Sequence, residues 1–88
     1  MNRFEEFALH LKANDVEWFI ENADDPYLIR DLEINGKIEK SKALSLFQAI
    51  SGDERVKIKK LTTELGLYGI RISRKRNEEN RPYYYEWE

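Results

Sequence analysis

The side chains of this chain best suited to chemistry are cations, and they gather in its last third. Lys59, Lys60 and Thr63 are spaced to share the outward side of a helix, with Lys57 and Glu64 at its edge and Ile58, Leu61 and Leu65 on the other side. Arg71 follows on an alternating run. Arg74-Lys75-Arg76, Asn77 and Arg81 then cluster in a polar stretch. Ammonium and guanidinium groups beside a hydroxyl and an amide suit contact with phosphates and base edges. The plainer reading is a solvated helix face followed by a loop whose cations deter edge-to-edge strand pairing. Recognition is favoured because both cationic groups fall on adjacent elements, which mere solvation does not require.

Other chemistries have little to draw on. The 88 residues hold one histidine, His10, and no cysteine. That leaves no thiolate ligand, no disulfide and no Ser/His/Asp or Cys/His set. The carboxylates are scattered over helix faces, and Asp24-Asp25 reads as a cap before Pro26, not as an acid and base pair. Gly66-Leu67-Tyr68-Gly69 is too short for a phosphate loop and lacks the following Lys-Ser/Thr. No catalytic residue, metal ligand set, cofactor or small-molecule substrate is expected, and the chain is read as a binding module rather than an enzyme.

The net charge of −2 conceals a segregation. Residues 1–54 carry 6 Lys+Arg against 12 Asp+Glu, a net of −6, and residues 55–88 carry 9 against 5, a net of +4. Local field, not global charge, decides where a polyanion docks. The acidic front supports a second reading, a protein-interaction module such as a phage-encoded inhibitor or adaptor. There Glu17, Glu21, Asp24 and Asp25 meet a basic partner, and Trp18, off the Val16/Phe19/Ile20 stripe, serves as an aromatic anchor. Equally, Trp18 closes the edge of the core. No apolar run reaches the roughly 18 residues of a membrane span. The N-terminus lacks the basic-then-apolar pattern of a signal peptide. A cytoplasmic protein with no membrane partner is expected.

The elements that must position these residues follow from periodicity. Phe4, Phe7, Ala8 and Leu11 predict a helix over about 3–12, with Asn2 as cap and Glu5 and Glu6 at its positive end. Val16, Phe19, Ile20 and Ala23 predict a second over 16–23 behind Asp15. A third, over 26–34, begins at Pro26 and stops at Asn35-Gly36; its competitor is a hairpin turning at Asn-Gly from 32–34 into Lys37-Ile38. Ser41 caps a fourth over 42–51, ended by Gly52. The fifth spans 57–65 and is closed by Gly66, with Val56 in the connection before it. The period then changes. Ile70 and Ile72 alternate with Arg71 and Ser73, and Tyr83, Tyr85 and Trp87 alternate with Tyr84 and Glu86. This predicts a hairpin over about 69–73 and 82–87, with Tyr83, Tyr85 and Trp87 facing the helices and Tyr84 the exposed ring. A stacking platform for single strands is the rival reading of the tyrosines.

One α+β domain, mostly helical, with a helix leading into a C-terminal hairpin of cationic tip is the arrangement of a small winged-helix domain. Its expected partner is double-stranded DNA. Within it, Leu61-Thr-Thr-Glu-Leu65-Gly66-Leu67-Tyr68 through Ile72-Ser73-Arg74 and Asn77 resembles the helix-turn-helix of lactose-repressor-type regulators. It departs from that pattern at Thr62, at Gly69 and in the alternation of Ile70 and Ile72.

A broader likeness covers residues 15–87: Asp15-Val-Glu-Trp-Phe-Ile-Glu21, a middle helix, Lys57-Ile-Lys-Lys-Leu-Thr-Thr-Glu-Leu-Gly66, Ile-Arg-Ile-Ser-Arg-Lys-Arg76 and Tyr-Tyr-Tyr-Glu-Trp87. It is similar to the C-terminal winged-helix domain of phage- and plasmid-type primase-helicases, whose ATPase and primase parts are missing here. The resemblance implies DNA contact by Lys59, Lys60, Thr63, Arg74, Lys75, Arg76 and Arg81, and a role in replication or transcription control of a phage or mobile element.

Overall fold

The computed structural model describes residues 2–73 and 83–88. Three helices come first. In α1 (Arg3–Lys12) the Asn2 side chain accepts from the Glu5 N–H at 2.7 Å, and Phe7, Ala8 and Leu11 turn inward. Asn14, at φ 53°, breaks the path, and Asp15 caps α2 (Val16–Ala23) by accepting from the Trp18 N–H at 3.2 Å. Asp25 then caps α3 (Pro26–Arg30) by accepting from the N–H groups of Tyr27 and Leu28. Each of these starts satisfies orphan donors with a short polar side chain.

Helix α3 ends at Arg30, four residues short of the expected limit. The helix begins at Pro26 behind Asp25 as expected but is shorter, and the competing hairpin of 32–34 with Lys37-Ile38 is absent. Leu32 to Ile34 form no strand, and Ile34 is buried. Gly36, at φ 85°, instead turns the chain into strand β1 (Lys37–Glu39). Gly36 C=O accepts from Trp87 N–H at 3.0 Å, and its N–H is shared between Ile34 C=O and the Asn14 side chain. Helix α4 (Lys40–Ser51) follows β1 directly, so Ser41 lies in its first turn rather than capping it. Gly52, at φ 72°, terminates it.

Helix α5 (Ile58–Gly66) is preceded by Lys57 in extended conformation. Gly66 is still helical, and the reversal expected there is made by Gly69, at φ 85°. The Ile70 N–H returns to Leu65 C=O and sends the chain into β2 (Arg71–Ile72). Strand β3 (Tyr84–Glu86) completes an antiparallel sheet of order β1-β3-β2. Tyr85 is the pivot, facing Ile38 on one side and Ile72 on the other. The expected pairing of the two C-terminal strands is present, and β1 is a third strand beyond it.

The fold is thus a small α+β arrangement, with five helices and a three-stranded sheet among the described residues. Phe7 sits edge-on to both Phe19 and Phe47, while Phe4 stacks on Phe47 at 4.7 Å. Leu61, Leu65, Ile70 and Tyr85 join the same buried cluster. No described helix is long and apolar enough to cross a membrane.

Candidate nucleic-acid interface

The seat of α5 fixes its orientation. Leu61 and Leu65 are fully buried, and Ile58 is half-buried behind them. Thr62 faces inward as well. Its hydroxyl lies 2.7 Å from Ile58 C=O and 2.6 Å from the Tyr85 hydroxyl, tying α5 to the central strand. At 100° per residue the opposite arc belongs to Lys59, Thr63 and Leu67, while Lys57 stands at the cap, at the edge of that arc. All four are exposed.

Arg55, Lys57 and Lys59 have no ion-pair partner among the described residues. Lysines at the N-cap, second and third positions of a helix oppose the positive end of its dipole, and no acidic residue stands in that first turn. Thr63 donates its hydroxyl hydrogen to Lys59 C=O at 3.0 Å. Outward it offers an oxygen acceptor and a methyl group, the pair needed to accept from a base amine or touch a thymine methyl.

Two expected members are engaged elsewhere. Lys60 Nζ bonds Glu64 at 2.8 Å and lies 5.9 Å from the Phe4 ring centroid, drawing it toward α1. Arg71 bridges Glu86 at 3.6 Å and Glu88 at 3.5 Å. Arg74, Lys75, Arg76, Asn77 and Arg81 lie outside the described residues.

Three cations were not singled out by spacing. Arg55 precedes α5 in a turn. Lys37 Nζ lies 5.6 Å from the Tyr84 ring, and Lys40 Nζ 5.4 Å from that of Tyr83. Their signal was hidden with β1, whose pairing to β3 brings them beside the tyrosines. The ring exposure is also reversed from expectation. Tyr83 is half exposed and Tyr84 partly covered, whereas Tyr85 and Trp87 are buried as expected. Two buried rings leave no continuous stacking platform.

The acidic front differs from its expected form too. Trp18 is partly buried and stacks on His10, with ring centroids 3.9 Å apart and planes at 6°. His10 Nδ1 lies 3.2 Å from Asp15 Oδ2. The indole therefore closes the α1–α2 corner and is no free anchor. Glu17, Glu21 and Asp24 are exposed, while Asp25 is half-buried at its capping post.

No protein-family model, curated protein or solved structure matches this chain.

Proposed function

We propose that this chain is a winged-helix protein that binds double-stranded DNA through α5. The observation that carries the reading is the outward arc of α5, where Lys59 lies beside Thr63, with Lys57 at the cap before it, and neither lysine has an ion-pair partner among the described residues. A duplex phosphate run supplies the negative charge that the helix start lacks. The order strand, two helices, then two strands, with the first strand pairing to the last, supports a winged helix, with α5 as the reading helix. Arg74, Lys75, Arg76 and Arg81 form the wing in this proposal. Replication or transcription control of a phage or mobile element extends it, resting on the resemblance to primase-helicase domains alone.

The test is fluorescence anisotropy of a labelled duplex across a salt series. Affinity is expected to fall steeply with salt. Lys57→Ala with Lys59→Ala is expected to lower the slope of log K against log salt by about one for each lysine that contacts a phosphate. An unchanged affinity and slope in that double variant would remove α5 from the interface.

A further inference from the structure

The molecule presents two helix faces of opposite character. On α2, Val16, Glu17, Ile20, Glu21 and Asp24 fall within one arc at 100° per residue, and all five are exposed. Val16 is 37% exposed and Ile20 47%, and the three carboxylates have no ion-pair partner among the described residues. No lysine or arginine occurs between Lys12 and Arg30 to neutralise them. On α5 the outward arc holds Lys59, Thr63, Leu67 and the Lys60–Glu64 pair, with Lys57 at its edge; Lys57 and Lys59 have no ion-pair partner among the described residues, and Leu67 is 71% exposed. Each face pairs aliphatic surface with unpaired charge of a sign the other lacks.

Within one molecule both helices pack against α4. We propose that the α2 face of one copy docks on the α5 face of a second copy of this chain, head to tail. Glu17, Glu21 and Asp24 then meet Lys57 and Lys59, while Val16 and Ile20 cover Leu67. The two patches differ, so the contact is heterologous and repeats from copy to copy instead of closing as a twofold dimer. Each face is one helix wide and about 12–15 Å long at 1.5 Å per residue. That is far below the roughly 800 Å² per partner of a standard interface. The association is accordingly weak, driven by charge and lost on screening. It shares α5 with the proposed duplex surface, so the two contacts exclude one another. The test below contains no DNA, and its failure leaves the duplex reading standing.

Sedimentation velocity of the full chain decides it. At about 10 mM salt, where the screening length is roughly 30 Å, the weight-average mass should rise with protein concentration. At about 0.15 M, with screening near 8 Å, it should return to the monomer value. A charge swap then identifies the faces. Glu17→Lys/Glu21→Lys and Lys57→Glu/Lys59→Glu should each remain monomeric alone at low salt. An equal mixture should associate, because acidic and basic faces are again opposed. A wild-type chain that stays monomeric at low salt overturns the proposal. So does a mixture that does not associate, or either variant associating alone as the wild type does.

Discussion

Helices α2 and α5 are similar in length and each buries two residues fully or nearly so, yet they begin in opposite ways. The start of α2 is electrostatically closed. Asp15 bonds the Trp18 N–H with one carboxylate oxygen and faces His10 with the other, and Glu17 adds negative charge to the first turn. The start of α5 is open. Lys57 occupies the cap with no side-chain bond, and Lys59 and Lys60 follow. A helix that needed only stability would reverse those charges, at a gain of about 0.3–1 kcal/mol for each. Burial of Leu61 and Leu65 and the Thr62–Tyr85 bond hold α5 in place despite its unfavourable start. The local rules for a helix start are thus broken at α5 and observed at α2.

The comparison breaks most sharply through its caps. Asp15→Ala removes the cap of α2 and the carboxylate beside His10, and is expected to cost about 1–2 kcal/mol in urea unfolding. Trp18 emission should shift to the red as the corner loosens, with duplex affinity unchanged. Lys57→Asp does the reverse. Lys57 already has the extended backbone of a cap, at φ −101° and ψ 162°, so an aspartate there can accept from the first free N–H groups. Stability is expected to rise by about 1 kcal/mol while duplex affinity and its salt slope fall. A variant that gained stability and kept its affinity would show that the open start of α5 serves no ligand.

Sequence was most legible where structure is local. Asn2, Asp15 and Asp25 mark helix starts because a cap acts within three residues, and the bounds of α1 and α2 match their periodicity. The outward set on α5 was legible for the same reason. Strand β1 was legible only as half of a competing hairpin at Lys37-Ile38, because three residues carry too little alternation and its partner, β3, is more than forty positions further along the chain. With β1 hidden, Lys37 and Lys40 gave no sign of lying beside Tyr84 and Tyr83. The helix end expected at 65 lies one residue later, at Gly66, but the reversal expected at Gly66 falls at Gly69, since composition cannot tell which of two nearby glycines takes positive φ. The pairing of Arg71 with Glu86 likewise depends on a register set across the sheet.

The smallest expected effect probes the tether that lets α5 tolerate its lysines. Burial pushes the Tyr85 phenol above its ordinary value of 10.0, opposed in part by the Thr62 hydrogen bond. The folded protein therefore holds this proton at a pH where the unfolded chain has released it. The stability it contributes is fully present below about pH 10 and is lost as pH rises from there through the folded value. Tyr85→Phe keeps the ring between Ile38 and Ile72 and leaves Thr62 bonded to Ile58 C=O. The variant should lose about 0.5–1.5 kcal/mol at neutral pH, the usual worth of one hydrogen bond. Its stability should then decline less steeply above pH 10 than that of the wild type. Urea midpoints measured from pH 7 to 11 read both effects. Parallel curves would mean that the phenol titrates alike in the folded and unfolded chains.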